Sequence, residues 1–172
     1  MITFDDGYQD NYVNAFPVMK EFGFKGTIFC VANEIGQKGY LRKEEIKEMA
    51  KAGFEFGSHT LSHRDLPNLR RQDKVREINS SKSFLSNELQ LNINFFCYPR
   101  GLYDRDSVTL VQEAGYLGAC SNQPGTNNGK SNPFLLKRTE IALHDSLFDF
   151  QKKLAGAYDW MHQALHLVRG KP

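Results

Sequence analysis

Residues 2–32 read ITFDDGYQDNYVNAFPVMKEFGFKGTIFCVA, and this stretch decides the fold. Ile2-Thr3-Phe4 has the character of a strand end, halted by the acidic pair Asp5-Asp6 and by Gly7. From Asp10 to Phe22 the apolar residues Tyr12, Ala15, Phe16, Met19 and Phe22 recur at helical spacing, and Gly23 closes that helix. GTIFCVA, residues 26–32, is a run of apolar and β-branched residues with no polar alternation, as expected of a strand buried on both faces. Strand, helix and buried strand in that order predict a parallel pair with a crossover, the unit of an α/β domain.

Outward from this unit the same alternation continues. KEEIKEMAKAGF (43–54) predicts a helix ending at Gly53, followed by a short strand Phe54-Glu55-Phe56. A helix over 73–89 precedes a strand in INFFCYP (93–99), and a helix over 105–115 precedes a strand in YLGACS (116–121). LKRTEIAL (136–143) reads as a last strand before a helix beginning near Leu147, while 121–134, rich in Gly, Asn, Ser and Pro, reads as a surface loop. The repeated pattern fits a barrel or an open doubly wound sheet, and in both architectures functional side chains collect at the carboxyl ends of the strands.

The 172 residues suit one core, so a single domain over 1–172 is expected. With 40% hydrophobic and 24% charged residues, the chain has no apolar run near the roughly 18–20 residues of a membrane span. A net charge of +2, with basic residues scattered, gives no concentrated surface for nucleic acid. Cys30, Cys97 and Cys120 are too widely spaced for a thiolate metal site and odd in number for a disulfide framework, so they read as small buried hydrophobes. Only Met1–Phe4 precede the acidic pair, whereas a buried strand usually runs about five or six residues. The first strand is therefore expected to be truncated and the natural chain to extend before Met1; compartment and oligomeric state are not legible.

Polar residues cluster at the predicted strand ends. Asp5 and Asp6 are adjacent, and because side chains alternate along a strand, they are expected to point in different directions and take different tasks. A helix cap followed by a turn aspartate is the plain alternative. His59 and His63, four apart in GSHTLSH (57–63), share a face if the segment forms a helical turn. Two imidazoles and one carboxylate suit one divalent ion, zinc first and cobalt, nickel or manganese as alternatives, with a position left for water. If Asp6 is the ligand, Asp5 is free to act as base toward that water. Tyr98, Pro99, Arg100 and Gly101 shape a turn whose backbone N–H groups are candidates to face an oxyanion. His144, at the end of the last predicted strand, is a candidate to protonate a departing amine.

Taken in order, TFDDG (3–7), SHTLSH (58–63) and FCYPRG (96–101) resemble the first three motifs of the polysaccharide deacetylases, the NodB-homology or carbohydrate esterase family 4 proteins. The likeness extends to FKGTIFCVAN, EEIKEMAKAGFEFGSHT and EAGYLGA. It implies a distorted (β/α) barrel with fewer than eight units, with Asp5 as base and Asp6, His59 and His63 as ligands of one divalent metal. The implied partner is an N-acetylated oligo- or polysaccharide of poly-N-acetylglucosamine, chitin or peptidoglycan type; such proteins are often associated with the cell envelope. The family often places an arginine two residues before the proline of its third motif, tethering the catalytic aspartate; here Cys97 stands there, and Arg138 is the candidate tether. The family's usual Leu-x-His is replaced by Ala142-Leu143-His144. An O-acetyl polysaccharide esterase, a silent carbohydrate-binding relative and a structural α/β domain are the competing readings.

Overall fold

The computed structural model describes residues 1–156. Five short strands, β1 (Ile2–Phe4), β2 (Gly26–Cys30), β3 (Glu55–Ser58), β4 (Phe95–Cys97) and β5 (Gly118–Cys120), pair in parallel. Their spatial order is β1-β2-β3-β4-β5, the order of the sequence. A doubly wound sheet reverses its order part way; this one does not, so right-handed crossovers place the helices on one face. The sheet curls into an open half-barrel.

The helices are α1 (Phe16–Glu21), α2 (Lys43–Lys51), α3 (Arg71–Val75), α4 (Ser81–Leu89), α5 (Arg105–Glu113) and α6 (Leu147–Leu154). The first predicted helix begins with a π-helical turn, Asn11–Ala15, and the 73–89 prediction is realised as α3, a π-helical turn Arg76–Ser80, and α4. No described helix is long and apolar enough to cross a membrane. The helix predicted over 147–165 is present as α6 but ends at Leu154, capped by Ala155 and followed by Gly156 at φ 73°; the rest of that prediction, from 157 on, lies outside the described residues.

Strand alternation sorts the side chains into two layers. Ile28, Cys30, Phe56, Phe96 and Ala119 face the helices and join Ile46, Met49, Ile78, Leu85 and Val111 in the main core. Phe29, Cys97 and Cys120 form a smaller cluster of their own. Gly57 lies in register with Phe29, and a Cβ there would stand 2.6 Å from the Phe29 ring and 2.8 Å from the Phe95 carbonyl oxygen. Glycine is what lets the ring lie across the sheet.

Two expectations are corrected. The segment 136–143 forms no strand: Leu136 makes an isolated parallel bridge with Cys120, through Leu136 N–H to Ala119 O and Ser121 N–H to Leu136 O, and then pairing stops. The residues from 59 to 63 form no helical turn, because Thr60 and His63 have φ of 66° and 57°. The three cysteines are free and buried.

Asp104 caps α5, accepting from Ser107 N–H at 2.8 Å, and pairs with the buried ammonium of Lys74. Burial pushes its carboxyl upward, yet the Lys74 and Ser107 hydrogen bonds hold it below its ordinary value of 3.8. A depressed folded-state value stabilises the fold above the unfolded value, and the contribution is lost as pH falls through the lower folded one. Asp104→Ala is therefore expected to lower stability by about 1–2 kcal/mol at pH 7, from the lost cap and from a buried Lys74 ammonium left with Asp106, at 3.5 Å, as its remaining carboxylate. In urea titrations the gap to wild type should persist at pH 5 and close below about pH 4.

Candidate active site

The inner face of the half-barrel ends in polar groups at its carboxyl edge. Strand parity carries Thr3, Asp5, Gly57, His59 and Cys97 onto that face. Asp6 would by alternation turn toward the helices, but its backbone enters the left-handed region at φ 69°, followed by Gly7 at φ 76°, and the carboxylate swings toward His59 and His63. A non-glycine residue pays for that conformation, and so does β-branched Thr60. Of the five described non-glycine residues with positive φ, four, Asp6, Thr60, His63 and Arg100, lie in loops at this edge, while Gln90 caps α4. Backbone strain is concentrated where the polar side chains meet.

Asp6 Oδ1 lies 3.6 Å from His59 Nε2 and 3.4 Å from His63 Nε2, and one donor atom from each of the three falls within 4.8 Å of the others. Donors around a tetrahedral ion with bonds of about 2.0–2.2 Å sit about 3.3–3.6 Å apart, so the triangle fits one metal ion. His59 Nδ1 is 2.7 Å from Cys97 O, which fixes the ring and leaves Nε2 as the nitrogen turned to Asp6 and available to a metal ion. Burial lowers the His59 pKa, outweighing the opposing effect of Asp5, so the imidazole keeps its lone pair. The turn that presents His63 is anchored by its own polar groups: His63 N–H donates to Thr60 Oγ1 at 2.9 Å, and Ser62 N–H donates to buried Glu77 at 2.9 Å.

Asp5 is held apart from this triangle. Arg138 Nη1 and Nη2 donate to Asp5 Oδ1 and Oδ2, each at 2.7 Å. The guanidinium also reaches Thr3 Oγ1, Ser121 O, Asn122 Oδ1 and Cys97 Sγ, the last at 3.1 Å. Burial pushes the Asp5 carboxyl up, but the Arg138 hydrogen bonds and charge, helped by His59 and Cys97, bring it below its ordinary value. Asp5 is therefore a carboxylate, and one of its oxygens lies within 4.8 Å of a His59 ring nitrogen.

The remaining predicted residues are placed differently. Tyr98 N–H donates to Cys120 O and Gly101 N–H to Tyr98 O, and Pro99 has no N–H, so of this turn the Arg100 N–H is the one that stays a candidate to face an oxyanion. The Arg100 side chain turns to Asp65, at 2.6 Å, and Tyr98 is fully buried. His144 is exposed on a turn, and among the described residues no hydrogen bond or ion pair joins it to the cluster. Two contributors went unread in the sequence: Glu77, an acid beside Ile78 in the apolar stripe of its helix, and the Cys97 carbonyl, which leaves no trace in residue type.

An open half-barrel of parallel strands thus carries, at its carboxyl edge, a carboxylate and two imidazoles that converge beside a second, arginine-held carboxylate. The polysaccharide deacetylase family profile matches residues 1–119, and the chain belongs to that family. YxkH of Bacillus subtilis (strain 168), a provisionally named polysaccharide deacetylase, is 35% identical over 83% of this chain and 51% of its own length. The poly-β-1,6-N-acetyl-D-glucosamine N-deacetylase of Staphylococcus aureus (strain MSSA476) is 27% identical over 94% of this chain and 59% of its own. The chain thus spans between half and three fifths of these curated relatives. Among solved structures, the Streptococcus pyogenes deacetylase PplD in complex with acetate superposes with a TM-score of 0.83 at 25% identity, covering 88% of this chain and 68% of that one. A polysaccharide deacetylase from Bacillus cereus gives 0.80 at 28%, covering 90% and 50%.

Removing the guanidinium leaves a largely buried carboxylate without its partner. Arg138→Met is expected to cost about 3 kcal/mol, the lower end for breaking a buried pair. Asp5→Asn combined with Arg138→Met should recover part of that loss, since no charge is then stranded. Thermal melts of the two singles and the double give the coupling, and strict additivity would refute it.

Proposed function

We propose that this chain hydrolyses acetamido groups of an N-acetylated polysaccharide, with a poly-β-1,6-N-acetylglucosamine type polymer as the first candidate. The observation that carries the reading is the Asp6-His59-His63 triangle with Asp5 alongside it, ionised and held by Arg138. The substrate class is supported by the name of the Staphylococcus aureus relatives. A divalent ion held by Asp6, His59 and His63, zinc first, would supply Lewis acidity and bring the pKa of a water toward about 7. Asp5 accepts the proton of the attacking water, and Arg138 keeps it ionised and aimed. His59, oriented by the Cys97 carbonyl, stays neutral. His144 is kept as the source of the proton taken up by the departing amine, because among the described residues it is the one histidine outside the ligand set.

Acetate release from β-1,6-linked N-acetylglucosamine oligomers, assayed with chelator and after metal is restored, tests the reaction and its metal. Asp5→Asn should lower turnover at least about 100-fold, the usual weight of a general base, with about one metal ion per chain retained by elemental analysis. His63→Ala should lose both metal and turnover; loss of metal in Asp5→Asn as well would overturn the division of roles.

His144→Gln separates amide from ester chemistry. An alkoxide leaves with less acid assistance than an amine, so the variant should lose more turnover on N-acetyl than on matched O-acetyl substrates. Equal retention on both would remove His144 from the scheme.

A further inference from the structure

The turn that delivers Asp6 does not end in the site. It runs on through Gly7 into Tyr8, and Gly7-Tyr8-Gln9 pairs with Gly39-Tyr40-Leu41 of the loop that follows β2. Gln9 N–H donates to Gly39 O and Leu41 N–H to Gly7 O, both at 2.9 Å, and these bonds flank Tyr8 and Tyr40 rather than join them. In an antiparallel ladder that is the narrow, non-hydrogen-bonded pair, whose side chains stand closest together. The two rings accordingly stack, with centroids 5.1 Å apart and planes 29° from parallel.

Other tyrosines near the strand ends are already occupied. Tyr98 and Tyr116 are buried in the core. Tyr103 packs on Tyr98, and its hydroxyl accepts from Gln123 Nε2 at 2.8 Å. Tyr8 remains 44% exposed despite its stacking partner. The loop does not need the rings to hold its register, because the two backbone bonds fix it. A rigid, half-open aromatic pair is thus fastened by the backbone two residues from a site that, on the reading above, receives a sugar.

We propose that Tyr8 and Tyr40 form an aromatic shelf on which the apolar C–H face of a pyranose ring rests, positioning the polymer beside the Asp6-His59-His63 cluster. A pyranose presents C–H bonds on one face and hydroxyls at its rim, which matches an aromatic body with a wet phenolic tip. The shelf rests on the polysaccharide deacetylase reading and gives it a specificity element. It selects for ring-bearing substrate, and it acts on binding rather than on the chemical step.

The test uses the full chain and a β-1,6-linked N-acetylglucosamine tetramer. Tyr40→Ala should raise KM about tenfold with kcat within about threefold of wild type, and Tyr8→Ala should raise KM at least as much. Tyr40→Phe, which keeps the ring face, should restore wild-type KM. An unchanged KM in Tyr40→Ala, or a Tyr40→Phe as weak as the alanine variant, overturns the shelf. So does a lowered kcat at constant KM, the pattern of a purely structural part. If wild type releases no acetate, the deacetylase reading fails, and calorimetric titration of the same tetramer decides the shelf separately. About tenfold weaker binding by Tyr40→Ala then supports it, and equal or undetectable binding by wild type and variant overturns it.

Discussion

The ion pair between Asp5 and Arg138 is the constraint on which the rest of the site depends. The two residues are 133 positions apart, one at the end of the first strand and the other beyond the long loop that follows the last described strand. An open half-barrel has two free edges, and the residues that must cooperate lie along its curved rim. Arg138 leaves the β5 side with its backbone N–H on Gln123 O, crosses the inner face over the Phe29 ring, and grips Asp5 and Thr3 at the β1 side. A planar, bidentate guanidinium fixes the carboxylate in direction as well as in charge, which a lysine ammonium would not do. With only three residues in β1, that grip is what makes the position of Asp5 definite.

Asp6 reaches its place by different means. Once Asp5 is fixed inward, its neighbour would by parity face the helices, and only a left-handed backbone returns it to the rim. Thr60 and His63 make the same departure in the facing loop. Such conformations persist where surrounding bonds over-determine them, and here the bonds are identifiable: Glu77 to the Ser62 backbone, Thr60 Oγ1 to the His63 backbone, and the Cys97 carbonyl to the His59 ring. The strain of the rim is thereby balanced by polar contacts drawn from the helix layer and from β4.

Much of this was legible in the chain, and the limits have physical causes. The buried strands announced themselves because parallel strands covered on both faces read as unbroken apolar runs, as in GTIFC. The adjacent aspartates and the paired histidines were legible as residue types at strand ends. How the histidines converge was not, because a spacing of four is shared by a helical turn and by a tight loop, and the positive φ of a threonine has no signature in its identity. The segment 136–143 looked like a strand by composition. It offers one bridge and then diverts, since Arg138 is required inside the half-barrel rather than along its edge. Glu77 and the Cys97 carbonyl act through tertiary contacts, one from a helix position resembling core and the other from the main chain.

Cys97 shows how a small neutral side chain accommodates the guanidinium. The residue at this point of β4 faces Asp5, and its thiol lies 3.5 Å from Asp5 Oδ2 and 3.1 Å from Arg138 Nη2. Burial pushes the thiol well above its ordinary value, with the Asp5 charge acting in the same direction, so it stays protonated. A neutral, compact thiol leaves room for a guanidinium entering from the far side, and it brings no second anion to compete for it. Were a second cation placed at 97 as well, two guanidiniums would crowd one carboxylate in a largely buried pocket, and the desolvation of the second would go uncompensated. The small residue on β4 and the arginine beyond β5 are therefore two halves of one arrangement: a single positive charge, held to a single carboxylate, within a shell of neutral groups.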